Sequence, residues 1–108
     1  MGTSRISATR RNQERVPCVY LLASRRNGTL YLGVTSNLAR RIWEHKNDLA
    51  DGFTKEYQVH TLVWYEVHDT MESPISGEKV VKGWRRSWKL GLIEKSNTQW
   101  RDLYEEIV

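Results

Sequence analysis

Tyr20, Tyr31, Arg41, His45 and Glu78 are the residues of this chain whose types and spacing could do chemistry together. Cleaving a phosphate ester needs a water made nucleophilic, a charge sink for the pentacoordinate phosphate and help for the leaving oxygen. Arg41 offers a planar, permanently charged fork for a phosphate. Glu78 is the candidate carboxylate for a single metal serving as Lewis acid and template. Mg²⁺ is usually bound this way, through one carboxylate plus waters and substrate oxygens. Tyr20 and Tyr31 have ten residues between them, so a hairpin would bring two phenols to one edge. His45 follows Arg41 by one helical turn and projects from nearly the same face.

Each assignment has a plainer alternative. Tyrosines in strands are ordinary core-edge aromatics. Arg41 could be a solvated helix residue, and Arg40 could pair with Glu44 in the same bland way. Glu78 could pair with Lys82 at i, i+4, which stabilises a helix surface slightly. His45 could be a histidine at the core boundary, and His60 and His68 read as structural. Lys82, Arg85 and Lys89 continue the helix face that bears Glu78. With Lys55 they form a candidate groove for a phosphate backbone, against the alternative of a solvated face.

These residues need elements to position them. Cys18-Val19-Tyr20-Leu21-Leu22-Ala23 and Leu30-Tyr31-Leu32-Gly33-Val34 are short apolar runs with β-branched and aromatic members. Asn27-Gly28 between them is a strong hairpin signal. Thr35 or Ser36 offers an N-cap, Leu38, Ile42 and Leu49 follow at helical spacing, and Asp51-Gly52 predicts the stop. Residues 53–60 read as a loop, and Thr61 to His68 as a third strand. Ser73-Pro74 suits a helix start. Beyond it Val81, Trp84, Trp88 and Leu92 mark an amphipathic stripe, which predicts core positions for Trp84 and Trp88, as for Trp100; Gly83 can split this stretch in two. Trp100, Leu103 and Tyr104 close the chain in a short element. The order predicts an α+β fold: a small three-stranded antiparallel sheet flanked by helices.

A chain of 108 residues has room for one small domain. Residues 1–16 carry Arg5, Arg10, Arg11 and Arg15 without apolar periodicity, and read as a flexible basic leader before a domain at 17–108. Five Trp and five Tyr argue against wholesale disorder. No apolar run is long enough to span a bilayer, and the start of the chain lacks the apolar core of a secretory signal. Cys18 is the single cysteine, which excludes an internal disulfide and makes a reducing cytoplasm the economical location. The net charge of +4 and a pI of about 9.4 favour a polyanionic partner.

Cys18-Val19-Tyr20 and then Tyr31-Leu32-Gly33 resemble the paired signature of the GIY-YIG nucleases. The continuation Val34-Thr35-Ser36-Asn37-Leu38-Ala39-Arg40-Arg41 resembles that family's run into its first helix and its key arginine. Gly77-Glu78-Lys79-Val80-Val81-Lys82-Gly83-Trp84 resembles the helix that carries the family's metal-binding glutamate. The resemblance runs from about Cys18 to Tyr104 and is strongest to short stand-alone bacterial members, which end in a segment like Trp100 to Tyr104. It implies a metal-dependent endonuclease using Mg²⁺ or Mn²⁺ on nucleic acid, with DNA favoured over RNA and branched or damaged structures as candidate substrates, as in DNA repair. It implies that Tyr20 and Tyr31 activate and position water, with Tyr20 favoured as base, and that Glu78 holds the metal beside Arg41 and His45. Asn97 matches an asparagine that some members use near the site.

The first motif lacks its glycine and isoleucine but keeps the tyrosine the chemistry needs. Gly77 directly precedes Glu78, and glycine in a helix interior costs roughly 1 kcal/mol against alanine, which loosens the turn holding that carboxylate. Two other readings stand beside the nuclease. One is a non-catalytic nucleic-acid-binding module that keeps the basic groove. The other is a domain that works inside a complex, with a protein partner supplying specificity.

Overall fold

The computed structural model describes residues 17–50, 52–68 and 82–108. Its centre is β1 (Cys18–Ala23), whose six residues are all buried. A run that is apolar on both sides suits a strand covered on both faces, and β1 is the middle one. It pairs antiparallel with β2 (Leu30–Thr35) on one side and β3 (Thr61–Val67) on the other, giving the order β2-β1-β3. The expected three-stranded antiparallel sheet is the observed one. In the β1–β2 turn, Gly28 N donates to Arg25 O at 2.8 Å, and Asn27 takes the left-handed position with φ 58°. Gly28 serves there by close approach: a Cβ on it would lie 2.3 Å from Ser24 Oγ.

The first helix, α1 (Leu38–Lys46), corrects the expected boundaries at both ends. Its cap is Asn37, whose side chain accepts from Arg40 N at 3.3 Å, rather than Thr35 or Ser36. The Thr35 hydroxyl instead accepts from Asn37 N at 3.0 Å and holds the turn into the helix. The helix stops at Lys46, well before Gly52. Asp48 adopts φ 57°, its N–H bonds to His45 O, and Leu49 N–H reaches back to Glu44 O. This is a Schellman stop with aspartate in the place glycine usually takes. His60 Nε2 lies 2.8 Å from the Asp48 carboxylate and holds it there. Leu49, which extended the apolar spacing, is 65% exposed. A short helix, α2 (Gly52–Glu56), then stands where a loop was expected.

Helices cover both faces of the sheet. On one face Cys18, Tyr20, Leu22 and Leu62 pack with Leu38 and Ile42 of α1, with Val59 and with Leu103. On the other, Leu21, Ala23 and Val63 pack with Ile93 of α3 (Arg86–Ser96) and with Trp100. A register shift between Leu21 and Leu22 against β3 leaves Val63 and its neighbour Trp64 both on this second side. The final helix, α4 (Tyr104–Ile107), follows a segment docked on β3, where Leu103 N donates to Leu62 O at 2.8 Å. Asp102 accepts from Leu62 N and Tyr104 N, and Lys46 joins it to α1 by an ion pair. Burial pushes the Cys18 thiol up to about 11, so it packs as a small apolar group.

The tryptophan stripe is the second correction. Gly83 lies in a turn and α3 begins only at Arg86, so Trp84 precedes the helix. The face α3 buries is Leu90 and Ile93, leaving Trp88 58% exposed; Trp100 is buried as expected. Among the described residues, no helix is long and apolar enough to cross a membrane. The expected leader at 1–16 and the Ser73-Pro74 helix start, with Gly77, Glu78 and Val81, lie outside the described residues.

Candidate active site

Tyr20 projects from the middle strand and is 2% exposed. Its register partner on β2 is Gly33, and the phenol ring lies over that glycine. A Cβ on Gly33 would come within 2.4 Å of both Cζ and Oη of Tyr20, so only glycine fits there without displacing the ring. Tyr31, two residues earlier on β2 and opposite Leu22, shares this face. The two tyrosine rings are 6.3 Å apart, centroid to centroid. The hairpin thus places both phenols on one side of the sheet, as the spacing predicts.

His45 reaches the same point from the last turn of α1 and is fully buried. Its Nε2 shares a 2.9 Å hydrogen bond with Tyr20 Oη, and its Nδ1 shares a 3.0 Å bond with Thr54 Oγ1 on α2. A neutral imidazole has one N–H and one lone pair, so the chain Tyr20–His45–Thr54 is satisfied in either tautomer. The tautomer with the proton on Nδ1 lets Nε2 accept the tyrosine hydrogen. The ring also packs 5.3 Å from Tyr31, which in turn meets Phe53 at 5.9 Å, and Phe53 meets Tyr57 at 4.8 Å. Phe53 and Tyr57 are 40% and 50% exposed, so aromatic rings run from the buried histidine to the surface.

A third phenol on this face behaves differently. Tyr65 lies opposite Tyr20 across β3, and burial together with the Glu106 carboxylate pushes its pKa up. It holds its proton against Glu106 and takes no part in the Tyr20–His45 pair.

Arg41 lies one turn before His45 at the rim of the buried layer. Its guanidinium is 3.5 Å from Glu44 with the side chain 43% exposed, and Arg40 pairs with the same carboxylate at 3.2 Å. Thr35, Ser36, Asn37, Arg40, Arg41 and Glu44 line a shallow cleft at the start of α1. The structure therefore brings Tyr20, Tyr31 and His45 together, while Arg41 lies one helical turn before His45 on α1 and pairs with Glu44. Glu78 lies outside the described residues.

The basic residues fall in two places. Lys55 is exposed on α2, on the tyrosine side of the sheet, whereas Arg85 and Lys89 belong to the start of α3, which covers the opposite side. Lys82 is exposed just ahead of them. His60 pairs with Asp48 and His68 with Glu66. Asn97 is buried away from the tyrosines: its amide donates to Val63 O at 3.1 Å and Arg101 O at 2.9 Å, which ties the C-terminal segment to β3. Sequence reasoning missed Thr54, Phe53 and Tyr57, because five residues of helix show no periodicity. Gly33 in Tyr-Leu-Gly carried a signal, since glycine inside a strand marks a close approach.

Comparison with known proteins agrees with the fold. The GIY-YIG catalytic domain family matches residues 16–91. The UPF0213 protein SSP2268 of Staphylococcus saprophyticus is 31% identical over 70 residues, covering 65% of this chain and 85% of that protein. The UPF0213 protein CPE1444 of Clostridium perfringens is 30% identical over 89 residues, covering 82% and 95%. The solution NMR structure of the UPF0213 protein BH0048 from Bacillus halodurans matches with a TM-score of 0.51 at 24% identity, over 81% of this chain and 92% of that one, a likeness of fold. A match over most of the folded part, which includes the strand pair that carries both tyrosines, identifies the chain as a member of the GIY-YIG catalytic domain family, a nuclease superfamily.

Proposed function

We propose that this domain is a metal-dependent endonuclease that hydrolyses phosphodiester bonds in DNA, with Tyr20, Tyr31, Arg41, His45 and Glu78 as its working residues. The observation that carries the reading is the 2.9 Å bond between Tyr20 Oη and His45 Nε2. It gives a phenol a proton acceptor inside the protein. As Tyr20 Oη takes a proton from the attacking water, its own proton moves to Nε2, and Thr54 keeps the imidazole aligned through Nδ1. Tyr31, on the same face and nearer the surface, orders that water. Arg41 turns from Glu44 to the phosphate, a small change, because an exposed ion pair is worth about 0–1 kcal/mol.

Among the described residues no group of three His, Cys, Asp or Glu could hold a metal ion. The Tyr20 and Thr54 hydroxyls of this layer are bonded to His45, so a hard ion there would depend on a carboxylate from outside it. Such an ion would be held by Glu78 together with waters and substrate oxygens, the mode usual for Mg²⁺ and open to Mn²⁺. When bound it supplies Lewis acidity at the phosphate and neutralises charge on the leaving oxygen.

A second reading rests on the 2% exposure of Tyr20. A tyrosine so buried, with its hydroxyl satisfied by histidine, also fits a domain that binds nucleic acid without cutting it and draws on a protein partner for activity. One assay separates the two. Supercoiled, linear and branched DNA and RNA are incubated with Mg²⁺ or Mn²⁺, with chelator, and with Glu78→Ala beside the parent. Metal-dependent cleavage that disappears in Glu78→Ala supports the nuclease. Binding that survives chelation, with no cleavage at any metal concentration, supports the binding module.

A further inference from the structure

We infer that Trp84 and Trp88, at the start of α3, form a stacking platform for an unpaired nucleobase, with Lys82, Arg85 and Lys89 holding the adjoining phosphates. The inference rests on the reading of this domain as a nucleic-acid-binding one, though not on cleavage. Trp88 leaves 58% of its surface in solvent while the opposite side of α3 buries Leu90 and Ile93. Trp84 meets it edge to face, with centroids 5.7 Å apart and planes at 80°. An edge-to-face pair props one indole upright on the other, so a broad aromatic face stays open for a base.

The charges around the pair point the same way. Residues 82–93 contain Lys82, Arg85, Arg86 and Lys89 and no acidic residue. Cations in the first turn of a helix sit at its positive end, the reverse of what helix stability favours, whereas a phosphate there would be favoured. Arg86 is engaged elsewhere, since its Nη2 donates to the carbonyls of Asn27 and Gly28 at 2.8 and 2.6 Å and clamps the start of α3 onto the β1–β2 turn. Among the described residues, Lys82, Arg85 and Lys89 form no ion pair. A fixed helix start, an exposed indole and uncompensated cations are the parts from which single-strand sites are built: stacking that tolerates any base, and charge that follows the backbone. The platform lies on the far side of the sheet from the Tyr20–His45 pair, so it suits a displaced strand or flap better than the phosphate being cut.

The test is anisotropy of a labelled thymidine single strand titrated with the full chain in chelator, so that no cleavage intervenes. Trp88→Ala, Trp88→Phe and an abasic strand of equal length complete the set. Trp88→Ala is expected to weaken single-strand binding about 5- to 150-fold, the range for loss of one stacked base. Trp88→Phe should keep most of the affinity, which separates stacking from a folding defect. Duplex binding and abasic-strand binding should hardly change. Equal binding of the thymidine strand by parent and Trp88→Ala would overturn the inference, as would an equal loss on the abasic strand. It is also overturned if Trp88→Ala leaves DNA affinity alone and instead dissociates a dimer in sedimentation, which would make the patch a protein interface. Failure of the cleavage assay leaves these outcomes readable, because none of them needs metal.

Discussion

The two faces of one three-stranded sheet are built from neighbouring residues of the same strand, yet they are furnished differently. Toward α1 and α2, Tyr20 brings a hydroxyl into the core, and His45 and Thr54 are buried to meet it. Toward α3, Leu21, Ala23, Val63 and Ile93 bring only hydrocarbon, and the buried polar side chain there, Asn97, is spent on backbone groups that hold the C-terminal segment. Burying a polar side chain costs free energy unless its donors and acceptors find partners, so the hydroxyl–imidazole–hydroxyl row depends on His45 bonding to both hydroxyls. The α3 face shows that the same strand can be covered without one. On the proposed reading the polar row serves the chemistry, while the apolar face holds the sheet in shape.

Substitutions on the two faces should separate along that line. The largest effect is expected from Tyr20→Phe, which removes the hydroxyl that passes the water's proton to His45: cleavage should fall about 10²–10⁴-fold in single-turnover kinetics, the range for loss of a positioned acid–base group. The same change takes the tyrosine hydroxyl away from His45 Nε2 and should cost about 1–3 kcal/mol in a urea melt, so both readouts are needed. On the other face Ile93→Ala should cost about 2–5 kcal/mol of stability by leaving a cavity, while cleavage per folded molecule stays near the parent's. A rate loss in Ile93→Ala as large as in Tyr20→Phe would erase the distinction between the faces. Two glycines follow, and the second of them gives the smallest effect. Gly33→Ala drives a methyl into the Tyr20 ring and should cost about 1–3 kcal/mol by overpacking, with a loss of cleavage as that ring shifts. Gly91→Ala on α3 meets nothing within 4 Å and should stabilise the helix by roughly 0.5–1 kcal/mol, with activity unchanged.

Much of this was legible in the chain itself. Cys18–Ala23 and Leu30–Val34 around Asn27-Gly28 read as a hairpin because strand patterning and turn chemistry are local; the register was not legible, since the turn closes from Arg25 to Gly28 and so centres one residue earlier, which sets Tyr20 against Gly33. The spacing of Arg41 and His45 placed them on one helix face for the same reason. Helix ends were read less well. Leu49 continues the apolar spacing, but Asp48 can enter the left-handed region and His60 holds it there, a contact from twelve residues away that no local pattern contains. Trp84, Trp88 and Leu92 match a helical stripe as well as Leu90 and Ile93 do, yet of the first three it is Leu92 that packs on the buried cluster. Which side of α3 faces the sheet is set by contacts distant in sequence, the packing of Ile93 and the hold of Arg86 on the hairpin turn.

By itself the sequence determined the strand pair, the antiparallel α+β architecture and the residue types a phosphodiesterase requires, because those depend on short-range backbone preference and on the chemistry of single side chains. Tertiary structure alone decided that His45 is the partner of Tyr20, that Thr54 completes the row from a helix of five residues, and that Trp88 stands in solvent. Each of those outcomes depends on which surfaces meet across the fold, and on which buried polar atoms must find one another when they do.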